Sequence, residues 1–241
     1  LGVGLRHRLG RVAPYQMAAG GIIEAIANVV AAGADPAQVA LLDNFCWGDT
    51  RSEEGLGSLV EACRACQDVA VALSAPFVSG KDSLNNVFAW KDAAGEQREL
   101  SIPPTLLATA LGQVEDVNTV CSPALTAAGN RLYVVGLTRA DLVGSQAELL
   151  GLTTGGAVPT VDTAVARKTF AAIHAATKAG LLRSCHDVSD GGLLTAVAEM
   201  AIAGGIGCRL ALADVPTDVD VSTGLTGLPR DVVLATSESP A

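Results

Sequence analysis

Apolar residues recur with helical period from residue 15 onward. Ile22, Ile23, Ile26, Val29 and Val30 form one stripe, which stops at Gly33 and Pro36. Val39-Ala40-Leu41-Leu42 is a continuous apolar run of the length of a buried strand, ending in the polar pair Asp43-Asn44. Residues 57–73 predict a second helix, with Leu59, Cys63, Cys66, Ala70 and Leu73 on one side. Pro76-Phe77-Val78 predicts a short strand leading into a polar loop, Ser79-Gly80-Lys81-Asp82-Ser83. The segment 91–98 is polar around an Ala93-Ala94-Gly95 turn, and 105–114 predicts a long strand. Ahead of all this, residues 1–14 carry glycines and arginines in no regular pattern and are expected to be irregular.

A break in periodicity follows. Residues 115–130 combine acidic residues, Pro123, small residues and a Gly129-Asn130 turn. Beyond it, strands are expected at 131–137, 181–185, 208–215 and 231–235, and helices at 162–179 and 193–203. The glycine pairs Gly155-Gly156 and Gly144-Ser145 are expected at loop tips. Two α/β units, 1–118 and 119–241, are the simplest organisation.

Composition narrows the function classes. With 49% hydrophobic and 17% charged residues over 241 positions, the chain has ample material for a core. No apolar run approaches the roughly 18 residues of a membrane span, and the start of the chain lacks the pattern of a signal peptide. A cytoplasmic location is therefore expected, with no membrane partner. The formal charge of −9 argues against a nucleic-acid partner. A nucleotide remains compatible, because backbone N–H groups and carboxylate-bound metal ions hold small anions. Of six cysteines only Cys63 and Cys66 have suggestive spacing, and no second pair exists to complete a zinc site; they read as core residues one helical turn apart.

Four segments carry candidate chemistry. Glu24 and Asn28, four apart on the first helix, stack a carboxylate above an amide oxygen, both ligands that Mg²⁺ accepts; a solvated helix face is the plainer alternative. Asp43 follows a buried strand, where ligands of α/β folds gather, although Asp-Asn also simply makes turns. Ser79-Gly80-Lys81-Asp82-Ser83 offers a Gly-containing loop and one cation for an anion, without the P-loop spacing. His186-Asp187-Val188-Ser189-Asp190-Gly191-Gly192 packs three ionisable groups and two glycines between an expected strand and a helix. Ser189 or Asp190 is expected to cap that helix, with Asp187 facing the same pocket through a metal; His186 reads as structural. Cys46, His7 and His174 read as packing or surface residues.

These motifs resemble a known family. Ala40-Leu41-Leu42-Asp43-Asn44-Phe45-Cys46-Trp47-Gly48, Phe77-Val78-Ser79-Gly80-Lys81-Asp82-Ser83-Leu84-Asn85-Asn86, Ile102-Pro103-Pro104-Thr105-Leu106-Leu107 and His186-Asp187-Val188-Ser189-Asp190-Gly191-Gly192-Leu193 together look like the second half of the synthetase subunit of phosphoribosylformylglycinamidine synthases. The last motif alone also fits aminoimidazole ribonucleotide synthetase and selenophosphate synthetase. The resemblance implies an α+β, two-domain aminoimidazole ribonucleotide synthetase-like fold, incomplete at both termini: an N-terminal sheet-pairing domain and a C-terminal α/β domain. It implies ATP as substrate and Mg²⁺ as cofactor, with Glu24, Asn28 and Asp187 at metal positions. Asp43, Gly80 and Ser189 match positions near the nucleotide, and Ser83 matches a contact to formylglycinamide ribonucleotide. Lys81 departs from an asparagine some members have there. In the family, ATP phosphorylates the amide oxygen and ammonia, made from glutamine by a glutaminase domain or subunit, displaces phosphate. The first half of the subunit, with the catalytic histidine, is the other implied partner. A non-catalytic half that holds a structural nucleotide, or another ATP-dependent synthetase of the superfamily, is the alternative.

Overall fold

The computed structural model describes residues 1–153 and 156–217; the strand expected at 231–235 and the tip residue Gly155 lie outside them. Its centre is a four-stranded sheet ordered β1-β6-β2-β3, from β1 (Gly2–Leu5), β2 (Val39–Cys46), β3 (Phe77–Ser83) and β6 (Thr105–Gly112). β6 runs antiparallel to both neighbours, and β2 pairs in parallel with β3. Between β3 and β6 a hairpin, β4 (Val87–Lys91) and β5 (Gln97–Ser101), forms a separate two-stranded sheet.

Two helices cover one face. α1 (Pro14–Ala31) begins with proline at a first-turn position, where its missing N–H costs nothing, and ends before Gly33 at φ 112°. α2 (Glu53–Leu73) is capped by Ser52, whose Oγ accepts the Gly55 N–H at 3.0 Å, with Glu53 and Glu54 at the positive end of the helix dipole. Met17, Ile22, Ile26 and Val30 of α1 meet Leu41, Leu106 and Ala110 of the sheet and Ala62, Ala65 and Val69 of α2 in one core. Trp47 is buried there and donates from Nε1 to Ser58 Oγ at 2.9 Å.

Alternation along the strands leaves the other sheet face open. Ala108 and Ala110 point to the helices, so their neighbours Leu107, Thr109 and Leu111 point away, as do Val3 and Leu5 by register. Val3, Leu5 and Leu111 are exposed.

The first two expectations to fail lie in this sheet. Residues 1–14 are not wholly irregular: Gly2 and Gly4 alternate with Val3 and Leu5 in β1, where a side chain on Gly4 would collide with the Gly21 carbonyl of α1. Glycine lowers strand propensity but is required where a helix backbone lies directly on a strand. Residues 79–83 are not a loop but the end of β3, an edge strand whose exposure tolerates polar side chains.

The second part packs as helices. α4 (Thr163–Lys178), capped by Asp162, lies against α1 and α2 and contributes Phe170 to the core. A short α3 (Gln146–Leu149) precedes it, and α5 (Gly192–Gly204) follows. The strands expected at 131–137, 181–185 and 208–215 are absent among the described residues, where only the bridges Thr138–Thr217 and Asp141–Gly156 occur beyond residue 112. A strand exists only through a neighbour's N–H and C=O groups, and these apolar runs have no ladder to join among the described residues. The helix expectations at 162–179 and 193–203 agree with α4 and α5. Among the described residues no helix is long and apolar enough to cross a membrane.

Candidate functional site

The linker after the sheet brings the second part onto α1. Cys121 N–H donates to the Ala32 carbonyl at 3.3 Å, Leu125 N–H to Met200 of α5 at 3.1 Å, and Cys185 N–H to Ser122 at 3.1 Å. These bonds lay the 186–191 loop beside the outer side of α1.

There Asn28 joins distant segments. Its Oδ1 accepts the Val3 N–H of β1 at 3.2 Å, and its Nδ2 donates to Asp187 Oδ2 at 2.9 Å, across 159 residues of sequence. One turn earlier, Glu24 Oε2 accepts the Leu5 N–H at 3.3 Å and lies 3.4 Å from Arg6 Nε, a charge contact not aligned as a hydrogen bond. The Glu24 side chain is 11% exposed. Burial raises its carboxyl above the ordinary range, and the charges of Asp190 and Asp187 raise it further, against the opposing Arg6 guanidinium and Leu5 N–H. The half-buried Asp187 and the exposed Asp190 thus both act on the largely buried Glu24, with one arginine nearby.

His186 is held on both nitrogens. Nδ1 lies 2.7 Å from the Asp187 carbonyl oxygen and 3.5 Å from Asp187 Oδ1, and Nε2 lies 3.3 Å from Glu199 Oε2. A cleft of about 470 Å³ opens between Leu1, Asn28, Cys121, His186, Asp187 and Ser189. α5 starts beside this loop. Neither Ser189 nor Asp190 caps it: Gly191, at φ 83°, occupies the cap position and has no side chain to offer. Only the Gly192 N–H is turned back, to Ser189 O at 3.1 Å, so the positive end of the helix keeps uncapped N–H groups.

The donors suit a hard cation. Among the described residues no three His, Cys, Asp or Glu side chains converge to hold a metal by themselves. A cation here would draw on Glu24, Asp187 and the Asn28 amide together with oxygens of an anionic ligand, which is how Mg²⁺ usually binds. Crowded carboxylates with a raised Glu24 are the charge pattern such a cation relieves.

The other expected residues are placed elsewhere. Asp43 on β2 pairs with Gly80 on β3, two strands away from β1. Any side chain at Gly80 would run into the Asp43 carboxylate. Burial, then the Asp82 charge, raises Asp43. Burial likewise raises the facing Cys63 thiol, and pushes Cys66 up to about 12. Ser83 pairs with Cys46 and Lys81 with Asn44, on the sheet face turned from the helices, and Lys81 Nζ donates to Ser83 Oγ. Glu24, Asn28, Asp187 and Ser189 thus share one region, whereas Asp43 with Gly80, and Ser83, lie outside it. Sequence reasoning missed Arg6 and Glu199. Arg6 gave no signal in an apparently irregular segment, and Glu199 reaches His186 only through the fold.

The chain matches the description "AIR synthase related protein, N-terminal domain" over residues 3–114 and "AIR synthase related protein, C-terminal domain" over residues 127–237. It is 37% identical over 199 residues to phosphoribosylformylglycinamidine synthase subunit PurL of Caulobacter vibrioides, covering 82% of this chain and 25% of that protein. The Deinococcus radiodurans PurL is 32% identical over 240 residues, covering 97% and 31%. The chain therefore spans about a quarter to a third of the curated relatives it matches. The fold is shared with Thermotoga maritima PurL complexed with ATP, at a TM-score of 0.61 and 19% identity over 90% of this chain and 31% of that one. It is also shared with E. coli HypE, a hydrogenase maturation protein, at 0.58 and 21% over 87% and 59%.

Proposed function

Since this chain belongs to the AIR synthase related proteins, with N-terminal and C-terminal domain matches in family order, we propose that it is part of the synthetase subunit of a phosphoribosylformylglycinamidine synthase. Its relatives at about a third identity carry that name, and structures of T. maritima PurL, which shares the fold, are described as complexed with ATP and with FGAR. The reaction converts formylglycinamide ribonucleotide to the amidine. The amide oxygen attacks the γ-phosphorus of ATP, ADP leaves, and ammonia displaces the phosphate from carbon.

The observation that carries the reading is the Asn28–Asp187 hydrogen bond beside Glu24. It joins residues that the family resemblance assigns to Mg²⁺ and that lie 159 positions apart. In this reading Glu24, Asn28 and Asp187 hold the metal, which supplies charge compensation to phosphate oxygens when bound. Ser189 and the uncapped start of α5 hold the phosphates by N–H donation. Asp43 and Gly80, on the helix-facing side of the sheet, serve a nucleotide, and Ser83, on the open face, serves the ribonucleotide at a region completed by the first half of the subunit. The apolar open face of the sheet is the natural surface for that half. Ammonia comes from a glutaminase, in keeping with a T. maritima assembly described as PurLQS. A boundary at 118/119 suits the gap between the two family matches.

The test is turnover. With ATP, Mg²⁺, ammonia and formylglycinamide ribonucleotide, the chain alone should form no amidine, and addition of the first half should restore formation. Turnover by the chain alone would contradict the divided site; none with both halves would contradict the substrate.

A further inference from the structure

Asp187 sits on a loop whose backbone bonds lie at its far end. Gly191 and Gly192 follow at φ 83° and 71°, and the side chains of Val188 and Asp190 are exposed. Gly192 N–H donates to Ser189 O at 3.1 Å and Thr195 Oγ1 to Gly191 O at 3.0 Å, both beside the start of α5. The near end, where Asp187 stands, is held by side chains.

The imidazole of His186 spans that near end. Its Nδ1 donates to the Asp187 carbonyl oxygen at 2.7 Å and lies 3.5 Å from Asp187 Oδ1. The other carboxylate oxygen, Oδ2, accepts the Asn28 amide at 2.9 Å. Asp187 is thus approached from both sides, which restricts how its carboxylate can turn. At the opposite edge of the ring, Nε2 lies 3.3 Å from Oε2 of Glu199, in the body of α5. That helix is itself tied down, since Met200 O accepts the Leu125 N–H at 3.1 Å. The Glu199 side chain is 56% exposed, so it has little packing to lose; the His186 ring is 18% exposed.

We propose that Glu199 and His186 are positioning residues for the cation: Glu199 fixes the imidazole to α5, and the imidazole aims the Asp187 carboxylate toward Asn28 and Glu24. The inference rests on the reading of Asp187 as a metal ligand. Contacts behind a ligand set its orientation and hence the affinity of the site. The same brace joins Asp187 to α5, so the carboxylate offered to the cation and the helix start offered to phosphate keep a fixed spacing.

Calorimetric titration of ADP, with Mg²⁺ and with chelator, tests it on the 241-residue chain combined with the first half of the subunit, with melting recorded in parallel. His186→Ala should weaken the Mg²⁺-dependent affinity about tenfold, and Glu199→Ala about threefold or more. Glu199→Gln loses the charge but keeps the reach and a hydrogen-bonding group, and should stay within about twofold of wild type. In a His186→Ala background, Glu199→Ala should add nothing, because it acts through the ring. The chain has three histidines, so the ring-nitrogen NMR signals of His186 can be followed without metal, and Glu199→Ala should move them. A loss in Glu199→Gln equal to that in Glu199→Ala would make the effect one of charge and overturn the positioning role, as would unmoved His186 signals. If Asp187→Asn loses affinity while the Glu199→Ala and His186→Ala proteins keep it, the brace alone is overturned and the metal reading stands. If Asp187→Asn keeps it, the metal reading falls and the brace with it. Should His186→Ala fail to fold, the exposed Glu199 pair of variants still decides.

Discussion

Asp43 and Gly80 show how a single glycine admits a charge. The Asp43 carboxylate occupies the space a Cβ at position 80 would need, so Gly80→Ala must displace it or the strand. The resulting overpacking should cost about 1–3 kcal/mol in urea denaturation. The buried thiol of α2 gives a second test. Cys66 is pushed up to about 12 by burial from an ordinary 9.0, so its neutral form is favoured by folding. The folded state then holds the proton where the unfolded state has lost it. That contribution is complete below pH 9 and disappears as pH rises toward 12. Stability should therefore fall over this alkaline window, and less steeply in Cys66→Ala. Burial keeps Cys66 both protonated and closed to reagent at pH 8, so iodoacetamide should label it in urea and not in the native protein. Rapid native labelling would contradict the packing described here.

At the scale of elements, the backbone contact between α1 and β1 is the least tolerant joint. Gly4→Ala should prevent folding or cost at least about 1–3 kcal/mol, because the Gly21 carbonyl of α1 stands in the way. Gly57, inside α2 with nothing near its would-be Cβ, is the contrast: Gly57→Ala should add about 0.5–1 kcal/mol. Both are read from urea midpoints. The same contrast explains what was legible in the sequence. α1, α2, α4 and α5 announced themselves through an apolar period, a cap or a terminal glycine, all local signals. β1 was hidden because its two glycines answer to a helix that comes later in the chain. Residues 79–83 read as a loop because an edge strand need not be apolar. The apolar runs at 131–137, 181–185 and 208–215 misled because strand formation depends on neighbours that local sequence does not reveal. Within the candidate site, the motifs and family resemblance brought forward Glu24, Asn28, Asp187 and Ser189, while the Asn28–Asp187 contact and the roles of Arg6 and Glu199 required the fold.

For the whole molecule, the open sheet face dominates. Val3, Leu5 and Leu111 stand exposed on it, and an apolar face of this kind favours association. The charge of −9 opposes approach, but salt screens it beyond about 8 Å at physiological strength. Sedimentation should show dimers or larger species that grow as salt rises, and Leu111→Lys should return them toward monomer. A monomer across the salt range would remove the face as a pairing surface. The central claim is that Glu24, Asn28 and Asp187 together hold a metal-bound nucleotide. The most direct measurement is calorimetric titration of ADP, with Mg²⁺ and with chelator, into a complete subunit of the family bearing Asp187→Asn at the matching position, with melting recorded in parallel. The account predicts at least about a tenfold loss of Mg²⁺-dependent affinity with the fold intact; an affinity unchanged by the substitution would contradict it.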